Sequence, residues 1–359
     1  MKYALIGCGR VSPNHITAVL KNRDLLEPAA VCDVVEERAA EAAAEFSKAG
    51  VEVKIYTDYK LMIDETKPEL CAIATDSGYH AKIGLYCLNN GANVIIEKPI
   101  ALSMNDAGEL IETAERNGLV LCANHQNRFN RSVRKMRDYL EHDKFGKLFH
   151  GVAQIRWRRS EEYFNHAAWR GTWELDGGAL MNQCIHNIDL LRWMMGDDVV
   201  EVYAYTDRLA HDYIEAEDLG IALIKFKNGS YGIIEGTTNI YPTNLEETLS
   251  LFGSDGTMKL GGTSVNKIDE LFLKDAVDAD AVKAEAAETP ENVYGYGHTF
   301  LYKDVIESIQ SGRKPCVDGA AGKRALELVL AIYKSAAEGK PVKLPLECNV
   351  STLDFVGRF

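Results

Sequence analysis

Tyr3-Ala4-Leu5-Ile6-Gly7-Cys8-Gly9-Arg10-Val11-Ser12 decides how this chain is read. An apolar run of strand type leads straight into Gly7 and Gly9, and a segment of helical periodicity follows from about His15. Two glycines there let the backbone turn tightly and approach a pyrophosphate, which the N-terminus of the next helix stabilises. Ser12 stands where a third glycine would complete the pattern, so the turn needs a second witness. Asp33 supplies it at the end of the next apolar run, roughly 20 residues on, where a carboxylate hydrogen-bonds an adenosine ribose diol. A carboxylate at that place repels a 2′-phosphate, so NAD is expected rather than NADP.

Outward from the turn, apolar runs at residues 3–6, 29–32, 70–74, 94–96 and 120–123 are each separated by a helical pattern. Helices are predicted over 35–49, over 80–90 before Gly91, and over 103–117 before Gly118. Continuous rather than alternating apolar strands belong to a parallel sheet covered on both faces. From about Phe149 the pattern changes to alternation, at 149–158, 199–209, 218–226, 230–239, 246–253 and 267–273, with hairpin-type joints at Lys227-Asn228-Gly229 and Ser254-Asp255-Gly256. One helix over 179–195 interrupts these strands, two more are predicted over 298–311 and 320–338, and 275–288 reads as a solvated loop. The fold class is therefore an α/β Rossmann dinucleotide-binding domain, residues 1–123, followed by an α+β domain, 124–359, with a large, mostly antiparallel, open-faced sheet. An open face with apolar residues, as in Tyr231-Gly232-Ile233-Ile234, calls for cover, so a homodimer or homotetramer is expected.

The 359 residues are 46% hydrophobic and carry a formal charge of -13, from 40 Lys plus Arg against 53 Asp plus Glu. No basic run exceeds Arg156-Trp157-Arg158-Arg159, so neither nucleic acid nor an anionic membrane surface is expected as a partner. An anionic substrate has to be held by local Arg, Lys or helix N-termini. The eight Cys include no C-x-x-C pair and most sit among apolar neighbours, so neither a disulfide framework nor a metal site is expected. The opening apolar run is too short for a signal peptide and no stretch reaches transmembrane length, which makes a cytoplasmic location the expectation.

Lys98 follows the fifth apolar run in Ile95-Ile96-Glu97-Lys98-Pro99, at the carboxyl edge of the sheet where doubly wound folds bind ligands. A lysine there can hydrogen-bond a substrate hydroxyl and favour its alkoxide; alone, it would read as a surface partner of Glu97. Asn182 and His186, four apart in the segment Asp176 to Asp189, fall on one helix face and can point into one cleft. Alone, His186 would read as a core histidine, and Asp189 as a helix partner of Arg192.

At these residues the chain resembles the Gfo/Idh/MocA family of nicotinamide-dependent sugar oxidoreductases. The resemblance runs through Gly7 to Arg10, Asp33, Thr75 to His80, Glu97-Lys98-Pro99, the Gly177-Gly178 helix with His186, and Gly312-Arg313-Lys314-Pro315. It implies NAD as cofactor, held by Gly7, Gly9, Arg10, Val11, Asp33, Thr75, His80, Glu97, Lys98, Gln126 and Trp169, with Lys98 and His186 catalytic. Gln126-Asn127-Arg128-Phe129-Asn130, Trp169 to Gly178 and Tyr294 to His298 are similar to the WlbA/WbpB branch. That branch oxidises the 3-hydroxyl of UDP-N-acetylglucosaminuronic acid, on the way to diacetamido-uronic acids of bacterial surface polysaccharides. By this resemblance Asn182, Arg158, Tyr163, Arg170, Tyr294 and His298 bind a UDP-sugar, and 2-oxoglutarate can serve some members as hydride acceptor. Asn182 stands where the wider family has Asp, and Asp76 where many relatives have Pro. Another sugar dehydrogenase of the family, acting on UDP-N-acetylglucosamine, myo-inositol or a free sugar, is the alternative. A non-catalytic NAD-binding regulator is a further one, although it would need neither Lys98 nor His186.

Overall fold

The computed structural model describes residues 1–196, 198–290 and 294–359. The chain divides into two compact units, 1–126 with 297–323 and 127–296 with 324–359. The sequence suggests a single boundary after residue 123. The structure returns residues 297–323 to the first unit instead, because the helix formed there packs on the helix that follows the Gly-rich turn.

In the first unit the strands are β1 (Lys2–Ile6), β2 (Glu27–Cys32), β3 (Lys54–Tyr56), β4 (Leu70–Ile73), β5 (Asn93–Glu97) and β6 (Leu121–Asn124). They form a six-stranded sheet in the order β3-β2-β1-β4-β5-β6, parallel at every pairing. The order reverses beside β1, and β1 pairs directly with β4, so a crevice opens beyond their carboxyl ends. Helices α1 (Ser12–Lys21), α2 (Glu36–Lys48), α3 (Tyr59–Thr66), α4 (His80–Asn89) and α5 (Met104–Arg116) connect them. Every residue of β4, β5 and β6 is buried, which is why those segments are apolar throughout. Neither β3 nor α3 is foreseen from the sequence, since β3 has three residues, two of them exposed, and α3 rests on its Asp58 cap, which accepts from the Lys60 amide (2.7 Å).

The second unit is built on an eight-stranded sheet. After α6 (Arg131–Glu141) come β7 (Leu148–Arg156), the short α7 (Glu161–Asn165) and α8 (Ile185–Met195). Strands β8 (Val199–Asp207), β9 (Leu219–Phe226), β10 (Tyr231–Thr237), β11 (Glu246–Gly253), β12 (Gly256–Gly261) and β13 (Lys267–Leu273) follow, then α9 (Ala279–Ala286). Helix α10 (Gly297–Ser311) belongs to the first unit, α11 (Gly319–Glu338) starts there and continues into the second, and β14 (Val342–Lys343) closes the sheet. The order is β13-β12-β11-β7-β10-β9-β8-β14, antiparallel except where β10 runs parallel to β7. Burial alternates strictly along β9, so one face is core and the other open. Tyr205, Ile221, Leu223 and Tyr231 are all exposed on the strands, Tyr205 at 68%. Six of the eight cysteines are buried, and among the described residues no helix is long and apolar enough to cross a membrane.

Two local expectations change. The segment 275–288 contains a helix rather than only a loop: Asp278 caps α9 by accepting from the Ala281 amide (3.0 Å), and the helix packs on β13. The single helix expected over 179–195 divides into a π-helical turn, Leu180–Cys184, followed by α8. A π turn inside a helix redirects the side chains it carries, and such turns are frequent at functional sites.

This helical segment lies on the buried face of the sheet, and two strand residues make the approach possible. A Cβ on Gly220 would come 2.5 Å from the Leu180 Cδ1, and one on Gly236 2.6 Å from the Cys184 Sγ. The replacement Gly236→Val should therefore overpack the layer and cost about 1–3 kcal/mol. A thermal melt checks this: an unchanged Tm would show that the helix can move away without loss.

Candidate active site

The cofactor edge is assembled within the first unit. Gly7 has φ of +93°, and a Cβ there would lie 2.5 Å from the carbonyl carbon and oxygen of Ala74. Only glycine fits, both for conformation and for space. Gly9 has nothing within 4 Å of its would-be Cβ, so the loop offers open room above a backbone that a ligand can approach. Asp33 is anchored: its Oδ2 accepts from the Cys8 amide (2.8 Å) and its Oδ1 from the Val35 amide (2.9 Å). The carboxylate is thereby tied to the Gly-rich turn, with acceptor capacity left for a diol. A glycine cradle, a helix N-terminus and a fixed carboxylate suit a dinucleotide. Arg10 is exposed and Val11 half-buried at the start of α1.

His80 is buried, with its Nδ1 at 2.7 Å from the Pro99 carbonyl and its Nε2 at 3.0 Å from that of Thr75. Burial lowers its pKa below the ordinary value, so the neutral ring donates to one of the two carbonyls at a time. It ties the loop after β4 to the segment after β5. Lys98, half-buried, follows β5. Gln126 is buried at the start of a short 3-10 turn.

Glu97 anchors the interior below that edge. His15 donates to its Oε1 at 3.1 Å and His298 at 3.4 Å, and Asn124 Nδ2 donates to the same oxygen. Burial alone would raise this carboxyl, but the hydrogen bonds from His15 and His298 outweigh it and hold the group well below the usual carboxylate range. Burial lowers His298, which can donate through Nε2–H as a neutral imidazole. Tyr302 lies 2.7 Å from His15 Nδ1 and Tyr3 lies 2.9 Å from Tyr302, extending the chain of polar groups into the core. The ligand-type atoms of His15, Glu97 and His298 fall within 4.8 Å of one another, a cluster no spacing in the sequence reveals. His298, expected to bind substrate, is buried beside Glu97, where α10 lies against α1.

The second unit carries Asn182 and His186, both half-buried, Asn182 on the π turn and His186 at the start of α8. Asn182 Nδ2 donates to Asp176 Oδ1 (2.5 Å), and Asp176 Oδ2 accepts from the Gly171 amide (2.7 Å). Asp189 pairs with Arg128 through two bonds of 2.7 and 2.6 Å rather than with Arg192, which bonds the Arg324 carbonyl and lies 3.8 Å from Glu327. This buried bidentate pair binds α8 to the chain at the start of the unit.

Near the π turn, Tyr163 gathers two arginines. The Arg170 guanidinium carbon lies 4.2 Å from the Tyr163 ring centroid and that of Arg159 5.1 Å, while Gln183 Nε2 donates to the Tyr163 hydroxyl (3.2 Å). Arg159 also covers Trp157 at 4.6 Å, and Arg170 lies 5.8 Å from Trp169. Trp169, expected at the cofactor, lies beside this cluster in the second unit. Arg158, expected to bind substrate, is exposed, and its neighbour Arg159 is half-buried against the Trp157 and Tyr163 rings. Arg156 is occupied by Glu235 and Glu246, each at 2.6 Å. Tyr294 is half-buried in the same unit. Glu217 and Glu247, both buried, are missed by sequence reasoning, although an acid beside strand-forming apolar residues is a usable signal.

Asp33 generates a direct test. The replacement Asp33→Ser should raise the Kd for NAD about tenfold, or about 1.4 kcal/mol, and narrow its margin over NADP. Titration by NADH and NADPH fluorescence measures both; equal affinities in the unaltered protein would remove Asp33 as the selector.

The sequence of the first unit matches a family model described as the NAD-binding Rossmann fold of an oxidoreductase family, over residues 1–125, and residues 133–259 match that of the GFO/IDH/MocA C-terminal domain. Among solved structures, the WlbA dehydrogenase of Bordetella pertussis, in complex with NADH and UDP-GlcNAcA, is 35% identical with a TM-score of 0.89, over 97% of this chain and 98% of that one. The WlbA dehydrogenase of Chromobacterium violaceum, with the same two ligands, is 33% identical with a TM-score of 0.87, over 97% of each chain. A myo-inositol 2-dehydrogenase of Thermotoga maritima is 26% identical over 96% of this chain and 98% of its own length. A glycine turn tied to Asp33, a second unit built on a mixed sheet and this likeness along nearly all of the chain have one reading: the protein belongs to the Gfo/Idh/MocA family and is an NAD-dependent oxidoreductase close to the WlbA dehydrogenases.

Proposed function

We propose that the protein oxidises the 3-hydroxyl of UDP-N-acetylglucosaminuronic acid to the ketone, with NAD as acceptor. The observation that carries this reading is the stack of Arg159 and Arg170 on Tyr163, in the unit that holds Asn182 and His186. Stacked guanidiniums present a planar donor edge to carboxylate or phosphate, and the aromatic rings offer a surface to a base or sugar. A neutral inositol needs no such pair. The two WlbA dehydrogenases with UDP-GlcNAcA support the same choice.

In this mechanism a ring nitrogen of His186 accepts the proton of the 3-hydroxyl as general base. Lys98 donates a hydrogen bond to the same oxygen and stabilises the charge that develops there. Asn182, oriented by Asp176, positions the sugar. NAD, held by the Gly7 turn and Asp33, supplies the two-electron acceptor when bound. A 2-oxo acid such as 2-oxoglutarate is the acceptor to test for regenerating NAD in place.

Absorbance at the NADH band with a panel of UDP-sugars and inositol tests the substrate. UDP-N-acetylglucosaminuronic acid should turn over at least tenfold faster than UDP-N-acetylglucosamine, and equal rates would move the assignment to a sibling sugar dehydrogenase. Replacing His186 with Asn or Lys98 with Met should each lower kcat roughly a hundredfold. The double variant should lose much less than the product of the two, because both act on one proton transfer. Near-normal turnover in His186→Asn would make His186 a structural residue. The apolar side chains left open on β8, β9 and β10 also predict a dimer or tetramer. A monomer mass by light scattering at micromolar concentration would contradict that.

A further inference from the structure

Glu217 takes no part in the chemistry above, yet it is wholly buried in the second unit, just before β9. Its backbone carbonyl accepts from the Ala179 amide (3.0 Å), and its side-chain Oε1 accepts from the Leu180 amide (2.8 Å) and the Tyr333 hydroxyl (3.0 Å). That hydroxyl accepts in turn from the Gly178 amide (3.3 Å). The three consecutive amides of residues 178–180, which open the segment bearing Asn182 and His186, are therefore all held by Glu217 or by the tyrosine bound to it. Gly178 makes the contact possible, since a Cβ there would collide with the Glu217 carboxyl. The glycine pair before the helix thus has a physical purpose that its own loop does not reveal.

We propose that Glu217 is the positioning residue of the catalytic segment: it sets the first turn, and through it the placement of Asn182 and His186. The inference rests on the reading of those two residues given above. Burial raises the Glu217 carboxyl to about 8, with the hydrogen bonds from Leu180 and Tyr333 opposing and the charge of Asp176 reinforcing the shift. The titratable groups facing it are Asp176 from the preceding loop, Tyr333 from α11 and Arg358 near the C-terminus. At neutral pH it is a neutral acid whose Oε2 has no hydrogen-bond partner. Its ionisation sets a desolvated charge beside Gly178 whose cost exceeds what the stronger bonds from Leu180 and Tyr333 return, and so destabilises the segment.

The sign of the linked stability follows. The unfolded carboxyl loses its proton near its ordinary 4.5, the folded one only near 8, so folding stability falls as pH rises across that interval. Glu217→Gln keeps an acceptor for Leu180 and Tyr333 and cannot ionise.

In the full-length protein, kcat of the unaltered chain should fall above about pH 8, whereas Glu217→Gln should stay within about threefold of its pH 7 rate and lose that alkaline fall. The Tm advantage of Glu217→Gln should grow from pH 5 to pH 8. Glu217→Ala should lower kcat at least tenfold, leave the Kd for NAD unchanged and speed hydrogen exchange at the Leu180 amide. Where Glu217→Ala does not fold, Tyr333→Phe, which removes one link, should lower kcat severalfold. The same alkaline fall in Glu217→Gln, or full kcat in Glu217→Ala or Tyr333→Phe, would overturn the proposal. Hydrogen exchange and Tm need no substrate, so a wrong sugar assignment fails in the substrate panel alone and leaves these readouts standing.

Discussion

At Gly7 the chain leaves no room for a side chain. The turn is pressed against the Ala74 carbonyl, in a backbone conformation that favours glycine, and the cofactor edge depends on that closeness. It brings the end of β1 against the end of β4, whose direct pairing creates the crevice of the sheet. It also aims the Cys8 amide at Asp33, which fixes the carboxylate before any ligand arrives. A preorganised acceptor loses less freedom on binding than a mobile one, so selectivity for a diol is built into the turn itself.

The interior carries carboxyl groups in opposite protonation states, and hydrogen-bond supply decides which. Glu97 receives donors from His15, His298 and Asn124, enough to outweigh burial and keep it ionised. Glu217 receives two donors on one oxygen and none on the other, and burial raises it to about 8. The contrast assigns different work to the two. A permanent charge holds several donors on one oxygen, whereas a neutral acid can sit against a glycine without a counterion.

Local periodicity made most of the fold legible, because β4, β5 and β6 are buried along their whole length and β9 is buried on alternate residues. It failed where an element owes its existence to something other than apolar pattern. β3 is a short edge strand with little to bury, and α9 depends on one Asp cap and an alanine-rich run that looks like a loop. Of the candidate residues, those joined by sequence proximity could be named from the sequence: Gly7 with Gly9, Lys98 at the end of β5, and Asn182 with His186, the last two divided between a π turn and α8. Residues joined only by folding were not. His15 and His298 stand 82 and 201 positions from Glu97, and Arg128 stands 61 from Asp189. Arg158 and Arg159 show a finer limit: they are adjacent in sequence, yet one is exposed and the other is half-buried against Trp157 and Tyr163, a difference that only the fold reveals.

The arginines also show how local charge can depart from the overall -13 of the chain. Arg156 contributes nothing to it, being neutralised by Glu235 and Glu246. Arg159 has a buried acid within its field, Glu247, which would cancel it if ionised. Burial raises that carboxyl to about 8 against the pull of Arg159, so at neutral pH Glu247 is mostly protonated and the guanidinium keeps its charge. Stacked on Trp157 and Tyr163, Arg159 is partly shielded from water by aromatic faces, and an opposite charge brought to a desolvated guanidinium interacts more strongly than at an open surface. Local charge thus depends on which acids beside an arginine are protonated, not on the number of basic residues, so the potential around Trp157 and Tyr163 need not follow the overall charge of the chain.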